Sequence, residues 1–88
     1  MAIVKKVLIL DDEPNMRHML SMLLTKAGYD VTAGENGQEG LDLLASHGFD
    51  FILCDIKMPV MDGMAFLKHS EAVRGHATVI MMSAFGAI

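Results

Sequence analysis

Apolar residues along the chain fall into two alternating patterns. Ile3 to Leu10 (IVKKVLIL), Phe51 to Cys54 (FILC) and Thr78 to Met82 (TVIMM) contain or form continuous apolar runs rich in β-branched residues. Runs of this kind, rather than strict alternation, predict strands covered on both faces, as in a parallel sheet. Tyr29 to Ala33 predicts a shorter strand of the same kind. Between the runs the spacing changes. Met16, Met19, Leu20, Leu23 and Leu24 fall at i, i+3, i+4, i+7 and i+8, one face of a helix ending near Gly28. Leu41, Leu43 and Leu44 predict a second helix, closed by Gly48. Met64, Phe66, Leu67 and Val73 predict a third, entered through Asp62-Gly63 and closed by Gly75. The order β-α-β-α-β-α-β, with connections of a few residues, calls for right-handed βαβ units and an open α/β sheet. No closing helix follows the fourth strand before Ile88, so the expectation is one incomplete domain over 1–88, the front part of a longer one. Such a chain leaves a strand edge and an apolar sheet face uncovered.

Bulk properties narrow the picture. The 88 residues suffice for one small domain, and 52% are hydrophobic against 20% charged. The longest uncharged stretch, residues 77–88, is 12 long, short of the roughly 18 apolar residues that suggest a membrane span. Lys5 and Lys6 are followed by only four apolar residues before Asp11, too few for a signal peptide. The lone Cys54 permits no internal disulfide and fits a reducing, cytoplasmic setting. A net charge of −4 gives no electrostatic reason to expect nucleic acid or an anionic membrane as a direct partner.

Function in an open parallel sheet gathers outside the carboxyl ends of the strands. Asp11 and Asp12 follow the first strand, Asp55 the third and Ser83 the fourth. If the first and third strands are neighbours, three carboxylates converge and repel unless a cation neutralises them. A hard divalent ion such as Mg²⁺, which keeps several waters and suits phosphate chemistry, is the natural partner. Acids before Pro14 also make an ordinary helix start. That is the better account of Glu13, and for Asp11 and Asp12 taken alone it stays open beside the metal account. Asp55, followed by Lys57-Met58-Pro59, has no such capping task.

The segments LILDDEP, FILCDIKMPVMDG and VIMMSAFG together resemble the receiver domain of two-component response regulators, in order and spacing over essentially the whole chain. The last segment is similar to receivers of enhancer-binding transcriptional activators. The resemblance implies a flavodoxin-like fold with strand order 2-1-3-4 here, short of the fifth strand, the helices around it and a phosphoryl-pairing lysine. It implies that Asp55 accepts a phosphoryl group from the phosphohistidine of a sensor histidine kinase. Asp12 would bind Mg²⁺ directly, Asp11 through water, and the main-chain carbonyl of Lys57 would add a ligand. Ser83 would be the hydroxyl that senses the phosphoryl group, with room left beside it by Ala84. The domain would be a regulatory phosphoacceptor, impaired by truncation, with its effector domain absent.

The remaining residues receive structural roles. His18, His47, His69 and His76 show no metal-ligand spacing with one another or with Cys54. Cys54 should be a small buried hydrophobe pointing away from the site. Met16, Met19 and Met22 are expected in the core, Asp62 at a helix N-cap, and Pro59 and Gly63 in the loop beside Asp55. An aspartate-nucleophile phosphatase would need a second acid two residues after Asp55, where Lys57 stands. Self-association through the exposed fourth strand and the uncovered sheet face, giving a homo-oligomer, is the remaining alternative.

Overall fold

The structure, a computed structural model, describes residues 3–82. Seven elements follow in the expected order: β1 (Lys6–Leu10), α1 (Pro14–Lys26), β2 (Asp30–Gly34), α2 (Gly37–Leu44), β3 (Phe51–Asp55), α3 (Gly63–His69) and β4 (Thr78–Met82). The four strands form one parallel sheet in the order β2-β1-β3-β4. In the register of the central pair, Leu8 stands beside Ile52 and Leu10 beside Cys54. These four side chains point to one face and are fully buried with Phe66, Leu44, Phe49 and Ala77 beneath α2 and α3. The Cys54 thiol lies in this layer. Burial, with added repulsion from Asp55, Asp11 and Asp62, pushes it up from 9.0 to about 12, so it stays a neutral, inert thiol at ordinary pH.

The opposite face carries Val7, Ile9, Phe51 and Leu53, and α1 packs over β1 and β2 on this side. Here the structure departs from the periodicity. Met16, Met19, Met22 and Leu23 are exposed, not core, and α1 has no fully buried residue. The half-buried row is instead Arg17, Leu20, Ser21 and Leu24. Leu20 and Leu24 of the expected stripe thus face the sheet, joined by Arg17 and Ser21 in place of the methionines. Beside α1, Val7, Leu24, Tyr29, Phe51, Leu53 and Ile80 line an open apolar groove of about 190 Å³.

Helix starts follow the sequence closely. Glu13 caps α1, its carboxylate accepting the amides of Asn15 (3.3 Å) and Met16 (2.8 Å), with Pro14 leading the first turn. Asn36 caps α2 through the Glu39 amide at 2.9 Å, and Asp62 caps α3 through the Ala65 amide at 2.8 Å. The end of α3 is a correction. The helix stops at His69 rather than running to Gly75, and Val73 is exposed. Arg74 reaches back, donating from Nη1 to the Leu67 carbonyl at 2.6 Å and to Ser70 Oγ at 2.9 Å. Its guanidinium takes a carbonyl that a further turn would have used. The first strand is also shorter than the apolar run, with Ile3 and Val4 exposed.

Two close approaches fix the loop after β3. The Gly63 amide donates to the Ile56 carbonyl at 2.8 Å, and a Cβ on Gly63 would collide with the Asp55 carbonyl and lie 2.8 Å from the Ile56 Cα. Across the loop, the Gly37 amide donates to the Met61 carbonyl at 3.1 Å, joining the start of α2 to the same segment. Between these ties Val60 is forced to φ +68°, a left-handed conformation that a β-branched residue rarely adopts.

Two outcomes follow from this loop. Val60→Gly should raise the unfolding free energy by about 1 kcal/mol, measured by urea titration, because the side chain is 83% exposed and only the backbone strain is relieved. Gly63→Ala should cost about 2 kcal/mol in the same assay, since the obstacle is main chain and cannot rotate aside.

Candidate functional site: a carboxylate cradle at the strand ends

Because β1 and β3 are parallel neighbours, their carboxyl ends meet at one edge of the sheet. Asp11, immediately after β1, is 5% exposed, and Asp55, the last residue of β3, is 7% exposed. Asp12 is exposed at the rim. Carboxylate oxygens of the three lie within 4.8 Å of one another, and among the described residues this is the cluster of His, Cys, Asp or Glu side chains close enough to hold a metal ion. None of the four histidines joins it. His76 instead faces Asp50 at 3.3 Å, and His47 lies 3.2 Å from the Leu43 carbonyl.

Asp11 is held on every side. Its amide donates to the Gly34 carbonyl at 3.2 Å, tying it to the end of β2. Its Oδ1 accepts the Glu13 amide at 2.9 Å, and its carbonyl accepts Arg17 Nη1 at 2.8 Å. Burial raises its pKa above the ordinary value, opposed by the Glu13 amide and reinforced by the charges of Asp55, Asp12 and Glu13. The group resists ionising where its neighbours are acids, so a cation placed among them would be stabilised. Asp55 Oδ1 takes a long bond, 3.4 Å, from the Lys57 amide.

The cradle opens in two directions. On one side a cleft of about 160 Å³ is lined by Asp11, Asp55, Glu13 and Met16. On the other, a shallower depression of about 480 Å³ is lined by Asp12, Ile56, Lys57, Met58, Pro59 and Asp62. The sequence therefore placed Asp11, Asp12 and Asp55 together, put Lys57 and Pro59 beside them, and assigned Glu13 and Asp62 to caps. Ser83 and Ala84 lie outside the described residues. Two contributors escaped the sequence reading. Arg17 shows only as a basic residue one turn into α1, and Gly63 only as a turn glycine. Their contacts with the main chain of Asp11 and Asp55 need tertiary structure to be seen.

The donor set suits Mg²⁺. All three candidate ligands are hard oxygen atoms, no sulfur or imidazole enters, and the flanking depressions leave room for water or a phosphate. Within the described residues no helix is long and apolar enough to cross a membrane.

Comparison with known proteins bears on this arrangement. The family model described as "Response regulator receiver domain" matches residues 7–88. The chain is similar to the regulatory protein AtoC of Escherichia coli strain K12, with 36% identity over 100% of the chain and 19% of AtoC. It is similar to the chemotaxis protein CheY of Bacillus subtilis strain 168, with 39% identity over 92% of the chain and 68% of CheY. It thus spans about a fifth of the one and about two thirds of the other. Among solved structures, the response regulator TrrA of Thermotoga maritima in complex with Mg²⁺-BeF superposes with a TM-score of 0.85 at 33% identity, over 92% of this chain and 70% of that one. TrrA has also been solved in complex with the histidine kinase ThkA, with a TM-score of 0.85 at 32% identity, over 96% of this chain and 72% of that one. With the sheet order, the acidic cradle and the family match in agreement, this chain belongs to the response regulator receiver domain family.

Proposed function

We infer that the chain accepts a phosphoryl group on Asp55 from the phosphohistidine of a sensor histidine kinase. The observation that carries the reading is the convergence of Asp11, Asp12 and Asp55 within 4.8 Å at the ends of β1 and β3. Asp55 supplies the nucleophile. A carboxylate oxygen attacks phosphorus in line, the P–N bond to the kinase imidazole breaks, and an acyl phosphate forms. The burial of Asp55 at the end of a core strand limits where its carboxylate can point, and the Lys57 amide helps to orient it.

Asp12 would hold Mg²⁺ directly, Asp11 through water, with Asp55 and the main-chain carbonyl of Lys57 completing the protein's share. The bound ion supplies positive charge opposite the phosphoryl oxygens. Ser83, one residue beyond β4, would accompany them as the hydroxyl that senses the transferred group. The kinase complex of TrrA supports a kinase as partner, and the likeness to the regulatory protein AtoC supports a regulatory role.

A second property belongs with this reading: the 88-residue chain self-associates. The observation favouring it is the open apolar groove of about 190 Å³, continuous with Ile80, 45% exposed on β4. Among the described residues nothing pairs with the outer edge of β4, a run without charge from Thr78 to Met82.

Intact mass after incubation with acetyl phosphate tests the first property. A single Mg²⁺-dependent phosphoryl adduct is expected, absent with EDTA and absent in Asp55→Asn. No adduct on the unsubstituted chain, or one that persists in Asp55→Asn, would overturn the reading. Sedimentation velocity tests the second. Association that rises with concentration is expected, weakened by Ile80→Glu; a monomer at all concentrations would refute it.

A further inference from the structure

The geometry points to Arg17 as a positioning residue for the metal cradle, an inference that rests on the phosphoacceptor reading above. Arg17 Nη1 donates to the Asp11 carbonyl at 2.8 Å, while Nη2 lies 3.7 Å from Glu35 Oε1, and the Arg17 side chain is 20% exposed. The carbonyl it holds matters because a peptide unit is planar. The Asp11 carbonyl and the Asp12 amide belong to one rigid group. Fixing the carbonyl fixes the plane from which the Asp12 side chain departs at the rim.

The other contacts of Asp11 complete this control. Its amide is tied to the Gly34 carbonyl and its carboxylate to the Glu13 amide. Without Arg17, the turn closed by the Glu13 amide keeps its outline, but the Asp11 carbonyl loses the donor that fixes its direction. Arg17 also joins two loops: Asp11 belongs to the turn after β1, and Glu35 follows β2 at the start of the turn into α2. A guanidinium is suited to this because it offers several donors in a fixed fork; an ammonium is a single point charge on a flexible stem. The Glu35 carboxylate is 62% exposed, so the outer end of the strap contributes less than the inner one. The partners of Arg17 are the Asp11 carbonyl and Glu35 rather than the clustered carboxylates, and it acts through the direction it gives Asp12.

The test is Mg²⁺ titration of the full 88-residue chain, followed through the amide NMR shifts of Asp12 and Asp55. Thermal unfolding in EDTA is recorded for each variant. Arg17→Gln is expected to bind Mg²⁺ about tenfold more weakly, with a displaced Asp12 amide resonance before any metal is added. Arg17→Lys should fall between Arg17→Gln and the unsubstituted chain, and Glu35→Gln should change affinity by no more than about twofold. A merely structural role would lower the unfolding temperature and leave the affinity of the folded protein unchanged. Unchanged affinity in Arg17→Gln therefore overturns the inference while leaving the phosphoacceptor reading intact. If Arg17→Gln fails to fold, Arg17→Lys decides, and affinity equal to the unsubstituted chain counts against the inference. Absence of Mg²⁺ binding by the unsubstituted chain overturns both.

Discussion

The parallel pairing of β1 with β3 is the constraint on which the rest depends. Its register sets Leu10 beside Cys54, so the residues that follow each, Asp11 and Asp55, emerge at the same height on the same edge of the sheet. Three aliphatic side chains, Leu8, Leu10 and Ile52, and the Cys54 thiol, all fully buried, hold that register because a one-residue slip would turn the apolar set of a strand to its other face. Hydrophobic packing thereby forces like charges together. At an effective dielectric constant near 20, a pair of carboxylates separated by about 4 Å repels by roughly 4 kcal/mol. Solvent at Asp12 reduces the repulsion there; burial at Asp11 and Asp55 preserves it. The raised pKa of Asp11, caused first by burial and then by its acidic neighbours, is the local trace of that conflict.

The surroundings of the cradle show how such a conflict is kept in place. Main-chain groups do most of the holding: the Gly34 carbonyl, the Glu13 amide and the Lys57 amide reach Asp11 or Asp55. Main-chain partners carry no side-chain rotamers of their own and so lose little entropy on bonding. Gly63 sharpens the effect from the other side. It permits α3 to start in contact with the Asp55 carbonyl, and α3 in turn delivers Phe66 to the centre of the core. The strain at Val60 lies in the span between these anchors. Loop geometry, helix placement and carboxylate direction are thus one problem solved together. A side chain at Gly63 would press directly on the Asp55 main chain, and a change at Val60 would reach it through the loop.

How much of this was legible in the sequence depends on how local each determinant is. The four strands were visible because continuous apolar runs have few other uses in a small soluble domain, and the caps because each needs only residues within one turn. The three carboxylates were visible because their convergence follows from strand order alone. The buried face of α1 was visible only in part. Leu20 and Leu24 of the expected stripe are half-buried, whereas Met16, Met19 and Leu23 are exposed, and the row facing the sheet includes Arg17, a polar residue whose partners lie in two other segments. The end of α3 was missed for a like reason. Arg74 captures a carbonyl seven residues upstream, and although basic residues often bond the last carbonyls of a helix, the spacing in the sequence does not say which carbonyl is taken. Ser83 followed from the family pattern, and its place lies outside the described residues.

Helix α1 joins these threads. It buries no residue completely, yet it packs over β1 and β2 through the half-buried Leu20 and Leu24. Its N-terminal end adds a second hold: Glu13 caps it, Pro14 sets its first turn, and Arg17 ties its second turn to the Asp11 carbonyl. All three act within seven residues of Asp11. Groups that orient the cradle and groups that seat the start of α1 therefore overlap at Glu13 and Arg17. Neutralising the cradle would relieve repulsion in the segment from which α1 departs. A helix held only by contacts remote from the acids would lack that overlap, and the start of α1 would then be independent of the direction of the carboxylates.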